Sequence, residues 1–479
     1  MSEVNYRSIT GFFYNKRNKT YYEFLQNKSS VLMQALRDPN INTIINDSRY
    51  PYWILRHSLG EPGGHEDYSD LIKEKNTSYE IERSEEIKHS YVNGKLRDLN
   101  FNGISINIPT KGYSHAVGPI HAGVIEPGHF RFSVVGEIIQ HLTIRLGFQK
   151  RNISNLILQK PATRVIPISE TISGDSTIAY ATVFSNIYEE ACNLTISDEV
   201  KLIRMALLEI ERIAIHIGDL GAIAGDIGYY PLLGLCSTDR GVPLGAMETL
   251  TGSRFGKGAI WPGEIRLNKK LTVEHLKAVA VNLQKAFKRV EREFFRAIKS
   301  STARERLHDC GFISHENVTN NGFVGMAARS AGVQVDLRLG EPLYKLTKTP
   351  LQLIESDEHL QGDAFSRFYL RYLEIKNSIE WLTNVLPELD ISKSGKGDLL
   401  INQNNKFKYG MYYKSVEGWR GSVLVAVDLS ERGLIHQAYI RDPSVMNWHA
   451  LELAVRGELI GDFPLNNKSF NLSYVGFDL

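Results

Sequence analysis

Apolar residues recur at spacings of three and four through much of the chain beyond residue 170. Val200, Ile203, Leu207, Ile210, Ala214 and Ile217 form one such stripe, the period of an α-helix with one buried face. Ser197 stands before it as a cap, with Asp198 and Glu199 in the first turn, where acidic groups favour the positive end of the helix dipole. The same patterning predicts helices over residues 176–193, 273–299 and 362–386, and a strand over 130–135 after a Gly/Pro-rich turn. Long helices separated by glycine-rich loops predict an α+β fold that is mainly helical, a long-helix bundle with small β-sheets at its ends. Residues 1–112 differ. They are polar, with a charged run over 80–89 and strand-like pieces at 52–57 and 104–108, and are expected to form a small N-terminal α/β region ahead of the main domain at 113–479.

Composition narrows the function classes. The chain has 479 residues, enough for two or three domains with real cores. A net charge of +2 argues against bulk nucleic-acid binding. Cys192, Cys236 and Cys310 are three in number and widely spaced, which excludes a disulfide framework and any CxxC metal or iron–sulfur site in this chain. A reducing, intracellular compartment is expected. Neither a signal peptide nor a stretch of about 20 apolar residues is visible, so membrane association is expected to come through partners.

Three motifs carry candidate chemistry. The first runs from Gly118 to Phe132 and holds His121, Glu126, His129 and Arg131 between two glycines and two prolines. A carboxylate beside imidazoles in a partly buried turn is a proton relay in form, although spacing alone favours a plain β-hairpin. The second places Glu209, Arg212 and His216 along one helix face, ahead of Asp226; taken alone it is an intrahelical ion pair with a core-edge histidine. The third, Gly325 to Arg338, brings Arg329, Asp336 and Arg338 into one charged network.

Their joint order is more specific than any one of them. With Thr251-Gly-Ser-Arg-Phe255, Gly362-Asp363, Glu417-Gly-Trp-Arg-Gly421 and Arg441-Asp-Pro443, the chain from about Gly118 onward resembles a family of large subunits. That family is shared by energy-converting [NiFe] hydrogenases of the formate hydrogenlyase group and respiratory complex I, where it forms the D chain. The Glu126-Pro-Gly-His-Phe-Arg-Phe132 form is similar to the hydrogenase branch. Leu96-Arg-Asp-Leu-Asn-Phe-Asn-Gly-Ile104 resembles the end of a complex I C-subunit-like domain.

The chain departs from the hydrogenases where they hold metal. Their CGxC motif reads Ser173-Gly-Asp-Ser176 here, and their DPCxxC motif reads Asp442-Pro-Ser444-Val-Met-Asn447. Hydroxyls and an amide are poor replacements for soft thiolates, so neither a nickel–iron centre nor hydrogenase activity is expected. Complex I uses the vacated region as a quinone cavity. The resemblance implies that His121 and Asp226 pair there to bind and protonate a quinone-like acceptor, with Ser173, Ser176, Ser444 and Asn447 lining the cavity. The family's quinone-binding tyrosine falls near Glu170 or Thr171. Glu126 corresponds to a hydrogenase glutamate that passes protons. The resemblance also implies an iron–sulfur small subunit, antiporter-like membrane subunits that translocate ions, and a peripheral position on the cytoplasmic side of a bacterial inner membrane. No dinucleotide fingerprint is present, so NADH chemistry would lie in another subunit. The competing expectation is a non-redox structural or regulatory subunit of an ion- or bicarbonate-transporting membrane complex.

Overall fold

The computed structural model describes residues 8–18, 20–36, 96–101, 104–109, 112–121, 125–347, 351–352, 357–394 and 407–479. The expected strand at 52–57 and the charged run at 80–89 lie outside them.

Helices build the centre. α1 (Ala162–Ser169) and α2 (Thr177–Ala191) lead into α3 (Asp198–Asp226), followed by α4 (Tyr230–Asp239), α5 (Gly241–Thr251), α6 (Val273–Lys299) and α7 (Ala364–Val385). α3 starts where its cap predicts: Ser197 Oγ accepts from Val200 N at 3.3 Å. Asp363 caps α7 the same way, accepting from Ser366 N at 2.7 Å. The predicted stripe of α3 is buried throughout. It meets α2, α6 and α7 in the largest hydrophobic cluster, with Phe287, Phe294, Phe368 and Tyr372 among its members.

Small antiparallel sheets surround this bundle. β1 (Ser8–Asn15), β2 (Thr20–Gln26) and β3 (Val31–Ala35) form one, and β4 (Leu96–Phe101) with β5 (Ile104–Pro109) a second. β6 (Tyr113–Val117), β7 (His129–Val135) and β8 (Ile138–Arg145) form a third, which packs with helices α8 (Ser444–Ala454) and α9 (Phe463–Phe470) around Phe130, Trp448 and Tyr474. β9 (Ile260–Trp261) pairs with β10 (Glu264–Ile265), while β11 (Gly410–Glu417), β12 (Ser422–Leu429) and β13 (Ile435–Arg441) complete the set. No helix among the described residues is long and apolar enough to cross a membrane.

The N-terminal strands do not stand apart as the expected boundary at 112 implies. Phe13, Phe24 and Val31 share a cluster with Leu424, Ala426 and Tyr439 of β12 and β13. Arg441 Nη1 donates to Thr10 O at 3.0 Å, and Ser422 Oγ donates to Gln26 Oε1 at 2.7 Å. The apolar inner face of β12 requires a cover, and residues 8–36 supply it.

Candidate functional site

Ser173, Ser176, Ser444 and Asn447 are all buried. The turn before α2 carries the first two, and α8 carries the others. Ser173 Oγ and Ser176 Oγ donate to Asp175 Oδ1 at 2.7 and 3.3 Å. Ser173 Oγ also lies 3.2 Å from Ser473 Oγ, and Ser473 N donates to Ser444 Oγ at 2.8 Å. Asn447 is committed elsewhere: its amide takes a bond from Val324 N at 3.1 Å and returns one to Val324 O at 2.9 Å.

Arg420 anchors this cluster. Its guanidinium meets Asp175 with two bonds, at 2.8 and 2.7 Å, and stacks over Trp419 at 3.9 Å. Burial alone would raise the Asp175 carboxyl; Arg420 and the two hydroxyls outweigh it and hold the group below its ordinary range. From Arg420 the bonds continue through Asn471 O at 2.7 Å, from Asn471 Nδ2 to Asp219 Oδ1 at 2.7 Å, and from Arg371 Nε to Asp219 Oδ2 at 3.0 Å. Distant stretches of chain are thereby locked into one polar seam.

Glu126 lies beside this seam, half-buried in the hairpin between β6 and β7. Its Oε2 is buried with no hydrogen-bond partner among the described residues. Burial pushes its carboxyl up, Arg420 pulls it down and Asp175 pushes it up again, with a raised value as the outcome. His121 sits exposed in the same loop. The expected hairpin is present, Val117 pairing with Phe130.

Asp226 lies outside the cluster. It ends α3, where burial raises its carboxyl against the pull of Lys468 and Arg306. Asp219, two turns earlier on α3, is the aspartate the seam contains. Glu170 is buried too, its carboxylate accepting from Gly258 N at 2.7 Å. The second and third motifs form a separate buried ion cluster. Glu374 lies 2.9 Å from Arg212, His216 and Arg329 alike, and Arg338 joins Glu209 to Asp336 at 3.2 and 2.7 Å. Burial lowers His216 despite Glu374, which leaves a neutral imidazole there. This cluster clamps α3 to α7, a structural role.

The family model for the 49 kDa subunit of respiratory-chain NADH dehydrogenase matches residues 226–406. The alpha subunit of the membrane-bound hydrogenase of Pyrococcus furiosus is 25% identical over 296 residues, covering 59% of this chain and 68% of that protein. The D chain of the NADH-quinone oxidoreductase of Thermosipho melanesiensis is 25% identical over 308 residues, 64% of this chain and 82% of that one. Formate hydrogenlyase subunit 5 of Escherichia coli is 23% identical over 359 residues, 75% of this chain and 61% of that one. Over much of its length the chain is similar to these hydrogenase and complex I large subunits. Its fold agrees: a chain of the archaeal membrane-bound sulfane sulfur reductase superposes with a TM-score of 0.69 at 19% identity, covering 77% of this chain and 99% of that one.

Serine stands at positions 173, 176 and 444 and asparagine at 447, so none of the four offers sulfur. The donor set does not suit nickel and iron: Ser173 points its hydroxyl at Asp175, Ser444 receives Ser473 N, and both ends of the Asn447 amide hold Val324. Cys192, Cys236 and Cys310 lie on or near other helices, and burial raises each thiol, Cys236 and Cys310 to about 12, the opposite of what a metal-binding thiolate needs. Asp175, Arg420 and Asp219 fall within motifs legible in the sequence, yet only packing reveals their pairing. Glu211 carries no signal in the sequence at all.

Proposed function

We propose that this chain, with an iron–sulfur small subunit, encloses a metal-free cavity in which a quinone-like acceptor is reduced, and that antiporter-like membrane subunits couple the reaction to ion movement. The observation that carries this reading is Glu126. A half-buried carboxyl with a raised pKa and one unpartnered oxygen, set beside a charge-paired polar seam, is a proton donor poised for a reduced acceptor. His121, exposed in the same loop, would bind the acceptor's carbonyl oxygen, and Glu126 would supply the proton. No nickel–iron centre takes part. The complex would sit on the cytoplasmic side of a bacterial inner membrane. Asp226 lies outside the seam, and Asp219 takes its place in this reading.

A second reading has its own support. Ser173 is held by Asp175 and Ser473, Ser444 by Ser473 N and Asn447 by the Val324 backbone, as in a site retained for packing, which fits a non-redox structural or regulatory subunit of an ion- or bicarbonate-transporting complex. Purification of the native complex in mild detergent, with identification of its chains, metal analysis and electron paramagnetic resonance, separates the two. Iron–sulfur signals without nickel favour redox work; membrane subunits with no iron–sulfur chain favour the scaffold. Reduction of short-chain quinone and of polysulfide is then assayed in wild type and His121→Ala. We expect a loss of at least about 10²-fold with an intact complex; unchanged turnover removes His121 from the reaction.

A further inference from the structure

Glu211 sits on α3 immediately before Arg212 but faces the other way. Its Oε2 accepts from Ile178 N at 2.8 Å, at the start of α2. Its Oε1 has no hydrogen-bond partner among the described residues, although the side chain is almost wholly buried, at 7% exposure. An unpartnered carboxylate oxygen at that depth is costly, unless the group carries a proton or meets a water.

Both conditions are available. Glu211 lines a narrow cleft with Asp175, Leu244, Met247, Arg254 and Phe255. Arg254 and Phe255 are exposed, the latter 41%, while the Asp175 side chain, 31% exposed, shares the cleft with the buried Glu211. The cleft has room for about one water, too little for an acceptor ring or a metabolite but enough to bring a proton carrier to the carboxyl. Burial raises the Glu211 carboxyl to about 8, Asp175 pushing the same way while the Ile178 and Ala179 amides and Arg212 oppose. Asp175 itself stays ionised under the grip of Arg420. Of the two carboxyls on the cleft, Glu211 is therefore the one that holds a proton near neutrality.

We propose that Glu211 is a proton-exchange site between solvent at the Arg254–Phe255 rim and the polar seam at Asp175 and Arg420. The carboxyl releases its proton to a water on the seam side, becomes a carboxylate still held by Ile178 N, and is reprotonated by water entering at the rim. It is a second entry, separate in sequence and in element from Glu126 on the β6–β7 hairpin. The use of this proton rests on the acceptor-reducing reading above; the exchange itself does not.

Glu211→Gln tests it, since the amide oxygen still accepts from Ile178 N but the side chain cannot ionise. Infrared difference spectra of the purified complex across pH should contain a buried-carboxyl band that disappears with a midpoint near 8 and is missing from the variant. Short-chain quinone turnover should fall at least about tenfold in the variant, with the alkaline limb of the pH profile flattened. A band that titrates in a wild-type complex inactive towards quinone keeps the exchange site and removes the acceptor reading. A variant with full turnover and an unaltered pH profile in an active complex reduces Glu211 to a helix cap and overturns the proposal, as does a wild-type spectrum without the band. Should the variant fail to assemble, the wild type alone decides: rapid shift of the band in deuterated buffer supports exchange through the cleft, and a band that stays protiated overturns it.

Discussion

Glu211 and Arg212 are neighbours in sequence and strangers in space. Consecutive helical residues point about 100° apart, so Arg212 joins the α3–α7 ion cluster while Glu211 turns to the start of α2. That turn has a thermodynamic consequence. The unfolded carboxyl titrates near 4.5 and the folded one near 8. Below that window both states are protonated and Glu211 adds no pH dependence. Within it the fold keeps a proton that the unfolded chain has lost, so stability falls as pH rises, by about 1.4 kcal/mol per unit at most. Thermal unfolding of wild-type and Glu211→Gln complexes between about pH 5 and pH 9 should find the variant gaining relative to wild type as pH rises; parallel curves would contradict the assigned shift. In the sequence, Glu209, Arg212 and His216 are legible as one face, whereas the reading of Ser173, Ser176, Ser444 and Asn447 as altered ligand positions rests on resemblance. Glu211 is not legible, because its role depends on Ile178 and Asp175, which only folding brings near. The Arg420–Asp175 pair spans 245 residues, beyond any local spacing rule.

At the scale of elements, periodicity and caps do well wherever a helix is long. The predicted 273–299 helix is α6, Val273–Lys299, with Thr272 capping it; those over 176–193 and 362–386 shorten by one to two residues per end. α4 and α5 escape because Pro231 and Pro243 near their starts and several glycines read as loop. A glycine at one junction is more than punctuation. Gly325 adopts φ +59°, and a Cβ there would run into the Arg420 carbonyl and the Gly421 Cα. This contact sets the backbone that aims Arg420 at Asp175. Gly325→Ala should therefore lower the stability of the complex by more than the roughly 1 kcal/mol of an ordinary exposed glycine change, and a crystal structure should find the Arg420–Asp175 pair displaced. An unshifted melting temperature would mean the junction yields freely.

Across the whole molecule, exposed apolar residues gather on the hairpin loop that carries His121. Ile120 is 91% exposed and Ile125 and Tyr113 are about half exposed, on the same hairpin as the proposed acceptor contact. Ile120→Glu should leave the stability of the chain nearly unchanged, within about 0.5 kcal/mol, while cutting recovery of the proposed small subunit several-fold; equal recovery would place that partner elsewhere. The long-helix core is legible in the sequence, while the contact of the first strands with the last sheet is not. Residues 8–36 carry no dense motif, and their packing on β12 and β13 cannot be read locally.

The seam between the first strands and the last sheet also sets a timetable. Thr10 and Arg441 are 431 residues apart, and a ribosome adding about 5–20 residues per second needs roughly 20–90 s to cover that distance. For that interval β1–β3 exist without the surface that covers Phe13 and Phe24. A nascent chain holding an uncovered apolar face for so long is a natural client for a holding chaperone, and one that stalls before β13 should be captured by it.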